Sequence, residues 1–504
     1  MHVSWVKFTP LLLIHLCLIL CITSARPCFA GGAEEIENIS EKELIPLEKV
    51  EVITLGSKEE AESFAGELEK SGYKTTVITG DKGDYKVFIV MNKKGEVPGG
   101  YNKSDNKSSW EILGRRHRNV HASLTLSGIY TDNALNNTSD KKSDFSTILS
   151  PAIWIVFPYS SRNVEPMSIS LRSPGGRLLT RQRPESVLHY QASLYYKTDI
   201  PLTSSSGDLV YGTIPAQTLS GRIMLSGNRF SLLVEDHYEF SHLEQEAGVL
   251  ASPGGNDRYN SNLLNVALYY ASRNRLMFQL GYSHFITGYK SDLESFRDRK
   301  DNGLSASVSY KLSPRMSLLG DYRYLNIAYD NTSELDSSEH YFMGGISWDI
   351  TAKSKGLLMA GYGIKKFDRF SGSFGSFSFE AQLDHRFTPK TSLLVSAYRK
   401  TNETDVIGTD FSLTEGLDVK LQHLLTSRLT SSAGLLILNE HYKKGPDFDE
   451  SVDSRLYQVN LALQYAFKRW LKGGIGYAHT IKNSSMSELE YRSNTFYFNI
   501  TAGI

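Results

Sequence analysis

A short basic turn recurs along the second half of this chain, and it constrains the fold more than any other feature. It appears as Gly227-Asn228-Arg229, Arg273-Asn274-Arg275, Ser313-Pro314-Arg315, Ala352-Lys353-Ser354, Pro389-Lys390, Thr426-Ser427-Arg428 and Lys468-Arg469. The spacing is roughly 37 to 45 residues, the length of one hairpin plus one loop. Such a period describes a barrel wall, and the alternating stretch Phe496-Tyr497-Phe498-Asn499-Ile500-Thr501-Ala502-Gly503-Ile504 supplies a last strand to close it.

Between the turns the hydrophobic period is two. In Leu304-Ser305-Ala306-Ser307-Val308-Ser309-Tyr310-Lys311-Leu312 every second residue is apolar and the rest are Ser or Lys. In the stretch 377–387, Phe377, Phe379, Ala381, Leu383 and Phe387 share one face, while Ser378, Glu380, Gln382, Asp384 and Arg386 share the other. A helix would scatter these residues around its circumference, so the segments are strands. They run about 11 to 14 residues, enough for the roughly 9 to 11 tilted residues that cross a bilayer. Strands of soluble sandwiches usually stop at about five or six.

The expected strands lie near 120–130, 145–157, 187–198, 214–226, 229–240, 259–271, 275–287, 302–312, 315–327, 339–350, 355–366, 374–388, 390–402, 412–425, 429–442, 454–467, 470–482 and 494–504. That makes about 18, the even number of a bacterial single-chain barrel. The tight turns fall on one side and are expected to face the periplasm, with the longer loops outside. Several of those loops are acidic, through Glu334, Asp336 and Glu339, then Asp447, Asp449, Glu450 and Asp453.

Composition agrees with a membrane barrel without requiring one. Hydrophobic residues make up 40% of the chain, and no apolar run of 18 or more follows residue 30, so a membrane location has to come from strands. The 28 Tyr against 5 Trp suit amphipathic rings at membrane interfaces, and would equally suit a soluble sandwich.

Residues 1–30 read as a secretory signal peptide, with Lys7, the apolar run Leu11 to Ile22 and a cleavage site after Ala30. A lipid-modified Cys21 or Cys28 is the alternative, although neither Leu20 nor Pro27 is the small residue that should precede one. Cys17, Cys21 and Cys28 all lie in this segment, so the mature chain is expected to carry no disulfide and no Cys-ligated metal. Losing Lys7 and Arg26 from 55 basic residues leaves 53 against 55 acidic ones, a balance that does not suggest nucleic acid.

Residues 48–90 carry a small α/β signature: a strand at Val50-Glu51-Val52-Ile53, an N-cap at Ser57, a helix face of Ala61, Phe64, Ala65 and Leu68 ended by Gly72, and strands at Lys74 to Ile78 and Tyr85 to Val90. With its Leu55-Gly56-Ser57 corner and Gly72-Tyr73 pair, this stretch resembles a sporulation-related repeat (SPOR) domain over about 45 residues, departing from that family after Val90. The resemblance implies a periplasmic contact with peptidoglycan. A polar linker, 91–119, with the basic cluster Arg115-Arg116-His117-Arg118, leads to the barrel at 120–504.

A lipid-facing Arg or Lys at mid-membrane costs about 2 to 4 kcal/mol, so the polar strand faces should line a lumen. By alternation Asp321, Arg323, Asp349, Glu380, Asp384, Arg386, Asp418 and Lys420 are the pore-lining candidates. Tyr195, Tyr269, Tyr341 and Tyr497 interleave with them as surfaces on which a sugar would slide, or as space-filling rings near the rims. One stretch breaks the period. Residues 158–186 carry Arg162, Arg172, Arg177, Arg181 and Arg183, expected at the periplasmic mouth, where guanidinium groups recruit carboxylates. The stretch reads as an elaborated turn, as a gate, or as an extra short hairpin or inward plug built from Met167 to Leu171 and Arg177 to Thr180.

No nucleophile elbow, H-E-x-x-H pair, phosphate-binding Gly loop or Cys-ligated site occurs, so an enzyme, a metal and a cofactor are not expected. The start of the barrel, Ser127-Gly128-Ile129-Tyr130-Thr131-Asp132-Asn133-Ala134, then Lys142-Ser143-Asp144-Phe145 and Leu149-Ser150-Pro151, resembles the putative beta-barrel porin type 2 family of outer-membrane proteins. The resemblance implies an all-β transmembrane β-barrel in the outer membrane of a Gram-negative bacterium. It also implies a terminal conduit for exopolysaccharide secretion, with the polysaccharide, outer-membrane lipid, peptidoglycan and a periplasmic polysaccharide-export protein as partners. A general diffusion porin and a tether between outer membrane and peptidoglycan are the other readings.

Overall fold

In the computed structural model, the structure describes residues 47–55, 62, 75–79 and 85–92. From 119 onward it describes 119–139, 141–157, 169–176, 190–204, 215–227, 229–242, 258–272, 275–292, 294–351, 353–369, 371–445 and 449–503. The chain divides into two units, Met1–Ser109 and Trp110–Ile504. In the first, β1 (Leu47–Leu55), β2 (Thr75–Thr79) and β3 (Tyr85–Asn92) form an antiparallel sheet in the order β1-β3-β2. These strands sit where the α/β signature placed them. Of the expected helix only Glu62 is described, and it is helical. Residues 1–30, expected as a signal peptide, and nearly all of the expected linker 91–119 lie outside the described residues.

The second unit is a closed barrel of 18 antiparallel strands. Its wall runs through β4 (Val120–Thr131), β5 (Asp144–Phe157), β6 (Tyr190–Ser204), β7 (Ala216–Ser226), β8 (Phe230–His242), β9 (Arg258–Ser272), β10 (Leu276–Tyr289), β11 (Arg299–Ser313) and β12 (Met316–Tyr329). It continues through β13 (Ser337–Thr351), β14 (Ser354–Phe367), β15 (Ser373–Thr388), β16 (Thr391–Glu403), β17 (Phe411–Leu424), β18 (Leu429–Lys444), β19 (Asp449–Lys468), β20 (Leu471–Ser484) and β21 (Tyr491–Gly503). The last strand closes the ring against the first, from Gly503 opposite Ser123 to Thr495 opposite Thr131. Closure leaves no unpaired strand edge, the condition for sheet in a hydrocarbon medium.

Several strands extend further toward the loops than the hydrophobic pattern indicated. β11 begins at Arg299 rather than near 302, and β19 begins at Asp449 rather than near 454. In β11 the added residues Arg299, Lys300 and Asp301 are polar on both faces, so backbone pairing continues where apolar alternation has ended.

Pairing register assigns the two faces of every strand. Leu280, Leu304, Phe377, Leu461, Ile475 and Phe496 are exposed on the outside, forming an apolar belt. The intervening residues, Ser283, Ser305, Ser378, Asn460, Gly476 and Tyr497, point into the lumen. The assignment is testable on one strand. Leu461→Arg places a guanidinium in the belt and is expected to cost about 2 to 4 kcal/mol of folding free energy in vesicles, whereas Asn460→Arg, one residue away in the lumen, should cost about 0.5 kcal/mol or less. Denaturant titration of the refolded barrel measures both.

Candidate functional site

Two pieces of chain enter the lumen and meet there. The first is residues 169–176, part of the connection that leaves the tight-turn end of β5. Leu171 packs with Tyr259, Leu263, Phe285 and Tyr289 of β9 and β10. Arg172 contacts Ser412 and Glu440 of β17 and β18. One short segment touches both these strand groups, far apart around the ring, only by lying inside the barrel. Its partners Tyr259, Tyr289, Asp301 and Glu403 lie at the loop ends of their strands, so the segment has risen through much of the barrel's height. Residues 169–176 lie inside the barrel, as the inward-plug reading expects, while Met167 and Arg177 to Thr180 lie outside the described residues. Arg172 is accordingly not a mouth residue; it is 7% exposed, inside the barrel. Arg162, Arg177, Arg181 and Arg183 lie outside the described residues.

The local sequence explains the fold of the plug. Ser173-Pro174-Gly175-Gly176 turns the chain back so that the Ser170 amide donates to the Gly176 carbonyl at 3.0 Å. Gly175 and Gly176 adopt φ of 68° and 66°, which favours glycine. A Cβ at Gly175 would come within 2.8 Å of Leu325 Cδ2, and one at Gly176 would enter the Phe285 ring.

The second piece is the loop end of the β16–β17 hairpin. β16 pairs with β15 only as far as Arg399, but with β17 as far as Glu403. Beyond Arg399 it therefore peels off the wall into the lumen. Thr401 then donates to Glu339 of β13 at 2.8 Å, Tyr329 of β12 donates to Glu403 at 2.7 Å, and Phe411 packs on Phe367 and Phe374. The two pieces join where the Glu403 amide donates to the Arg172 carbonyl at 2.8 Å.

Buried charge fixes this junction. Arg172 Nη1 lies 2.5 Å from Glu440 Oε1, and its Nη2 lies 3.4 Å from Asp405 Oδ1. Tyr442 donates to Asp405 at 2.9 Å, and Lys482 Nζ stands 3.8 Å from Glu440. Burial disfavours the Arg172 charge, but the carboxylates of Asp405 and Glu440 outweigh it and hold the guanidinium well above its ordinary value. On the opposite side of the plug, Arg299 bonds Asp301 at 3.2 Å and the Ser173 carbonyl at 3.2 Å, while the Gly175 amide donates to Asp301 at 2.8 Å. Lys365 sits between Glu339 at 3.0 Å and Glu403 at 2.8 Å. Lys400 Nζ donates to Ser173 Oγ at 2.5 Å.

The eight pore-lining candidates fall into two groups. Asp321, Arg323 and Glu380 come together, with Arg323 2.6 Å from Asp321 and 3.7 Å from Glu380. They line a cavity of about 150 Å³ against the plug residue Gly175. Asp349, Asp384 and Arg386 are exposed near the tight-turn ends of β13 and β15, and the pair Asp418 and Lys420, 3.0 Å apart, lies lower on β17 than the plug junction. Around this part of the lumen Thr125, Ser127, Tyr195, Tyr497 and Asn499 are half-buried on inward positions.

Alternation alone did not single out the residues that meet the plug. Glu339, read as an outer-loop acid, is an inward, 1% exposed partner of Lys365. Glu440, Lys482, Asp301 and Glu403 share inward or loop-end positions, but their pairing depends on strands distant in sequence. The one local signal was Ser173-Pro174-Gly175-Gly176, a turn inside a segment expected to be irregular.

Removing Lys365 tests whether these charges act as a unit. Lys365→Met leaves Glu339 and Glu403 buried without their cation, and should destabilise the barrel by about 3 to 5 kcal/mol. The double replacement of Lys365 and Glu403 by apolar residues should recover part of that loss in the same refolding titration.

Solved structures to which the chain is similar include OccAB4 of Acinetobacter baumannii (12% identity, 77% of this chain and 98% of that one, TM-score 0.40) and OccK11 (OpdR) of Pseudomonas aeruginosa (12%, 76% and 96%, TM-score 0.38). OpdQ of Pseudomonas aeruginosa is similar at 9% identity, over 77% of this chain and 98% of that one, with a TM-score of 0.41. No curated protein matches the chain. Residues 127–151, which suggested a family, lie outside the stretch that matches one. The match, to the family described as Putative beta-barrel porin 2, covers residues 260–503.

Proposed function

We propose that this outer-membrane barrel is a gated conduit for a secreted polysaccharide, with residues 169–176 as its internal gate. The observation that carries the reading is the plug itself, a turn held across the lumen by polar contacts. Eight direct polar contacts hold it: Glu403 to the Arg172 carbonyl, Arg172 to Glu440, Asp405, Ser412 and Tyr442, Arg299 to the Ser173 carbonyl, Gly175 to Asp301, and Lys400 to Ser173. When the plug withdraws, water takes over each polar partner, so a neutral contact contributes a net of about 0.5 to 1.5 kcal/mol and one to a charged group about 1.5 to 3 kcal/mol. These contacts favour the closed state, and because water replaces each of them their net strength lies well below their gross strength, which leaves them open to displacement by a bound polymer or partner protein.

The inward Thr125, Ser127, Tyr195, Tyr497 and Asn499 support a sugar polymer as cargo. Hydroxyls and amides exchange hydrogen bonds with a sugar without holding it, and Tyr faces suit its apolar sides. A general diffusion porin requires no plug across its lumen. In this reading the tight-turn rim faces the periplasm and β1 to β3 lie there as a SPOR-like contact with peptidoglycan. A periplasmic polysaccharide-export protein would then reach the gate from the side on which its chain enters.

Planar bilayers decide between gated and open pores. The intact protein should pass little current, and deletion of residues 169–176 should give large, steady conductance that added polymer blocks. Equal conductance of both would remove the gate. In cells, deleting the protein should abolish surface polysaccharide while cytoplasmic precursor synthesis continues; normal surface polymer would remove the export reading.

A further inference from the structure

Six cationic side chains are buried among the described residues: Arg172, Arg297, Arg299, Lys365, Lys400 and Lys482. Five of them have a carboxylate oxygen within 4.0 Å: Glu440 for Arg172 and Lys482, Glu294 for Arg297, Asp301 for Arg299, and Glu339 with Glu403 for Lys365. Lys400 is the exception. Its exposure is 6%, its one hydrogen bond is to the Ser173 hydroxyl of the plug, and its ammonium stands 5.4 Å over the Tyr398 ring. A buried ammonium paired with a neutral hydroxyl keeps most of its desolvation cost uncompensated, and an anion brought to it recovers that cost.

Space for an anion is present beside it. Lys400 lines the 150 Å³ cavity under the plug, together with Gly175, Arg323, Tyr341, Glu380 and Thr401. The carboxylates there are already engaged, Asp321 and Glu380 with Arg323, and Glu235 with Arg222 at 3.5 Å. Two inward glycines keep the cavity open, since a Cβ at Gly281 would strike Ser305 Oγ and one at Gly303 would strike Ser283 Oγ. Those serines and Asn265 line the same space with groups that hydrogen-bond sugar hydroxyls.

We infer that this cavity is a recognition site for a carboxylate-bearing sugar of the uronic-acid type, and that its carboxylate opens the gate by taking Lys400 from Ser173. The inference rests on the reading of residues 169–176 as a gate and names the chemistry that triggers it. Lys400 gains a full anion in place of a hydroxyl, the plug loses one of its polar contacts, and the sugar ring stands where the plug must withdraw. No covalent step is involved. A neutral sugar fills the same cavity without competing for the ammonium, so charge separates trigger from bystander.

The test is single-channel recording of the full chain in planar bilayers, with trigalacturonate or maltotriose added on the tight-turn side. Trigalacturonate should raise the open fraction of the intact protein at least tenfold, and maltotriose should not. K400Q should lose that response. S173A, which keeps the lysine and removes its partner on the plug, should open more often without any sugar. Heat-modifiable migration on gels reports whether each variant folds; if K400Q does not, an unchanged open fraction in S173A overturns the inference. Equal effects of the two sugars, or an intact trigalacturonate response in K400Q, overturn it as well. The gate and its trigger fail separately. If the intact protein already conducts as the variant lacking 169–176 does, the gate and the trigger both fall. If that deletion opens a closed channel but trigalacturonate acts without Lys400, only the trigger falls.

Discussion

Closure of the backbone ladder is the constraint on which everything else in this barrel depends. In hydrocarbon an unpaired peptide group costs several kcal/mol, so a sheet there is stable only as a ring. The pairing of β21 with β4 completes it, and with the ring complete each residue's face is decided by parity along its strand. An apolar residue outside therefore forces its neighbour inward. The Ser, Asn, Asp and Lys of the lumen are a consequence of the belt as much as a choice of lining.

A ring of 18 strands encloses more space than its own wall side chains fill. Here the loop half of that space is taken by chain from two sources, the turn 169–176 and the bent end of the β16–β17 hairpin. Both bring backbone groups into the lumen, and both satisfy them there: Glu403 with Arg172, Gly175 with Asp301, Ser173 with Arg299. The bend in β16 is what makes the arrangement work. By leaving β15 after Arg399 it carries Lys400, Thr401 and Glu403 off the wall to the plug and the wall charges facing it.

Much of the wall was legible in the sequence, because its cause is local. Basic turns, period-two alternation and strand length each follow from one hairpin at a time, and together they gave the strand number and the closing pair. The strand ends were less legible: Arg299 to Asn302 carries no hydrophobic pattern although it continues the ladder. The lumen contacts were not legible for a different reason. Arg172 meets Glu440 across 268 residues and Lys400 meets Ser173 across 227, and no spacing rule connects them. Parity placed Asp321, Arg323 and Glu380 on one inward surface, but only the ring's curvature brings them to the plug. Arg172 was misplaced because a connection leaving the tight-turn end was expected to stay there, whereas Pro174, Gly175 and Gly176 turn it within the lumen.

The chemistry of the plug's contacts also bears on how it can move. An apolar plug of the same size would lose its burial on withdrawal into an aqueous lumen, at about 25 cal/mol for each Å² exposed, and nothing in the lumen would replace it. Charged and hydrogen-bonded contacts behave differently, since water compensates both partners and the net difference between bound and free is small. Converting a closed population of about 99% to an open one of the same size takes roughly 5.5 kcal/mol of preferential binding. A wall held by its continuous backbone ladder and a plug held by the burial of Leu171 together with exchangeable polar contacts therefore rest on different interactions, and the polar share of the plug's hold is the part that a competing ligand can replace.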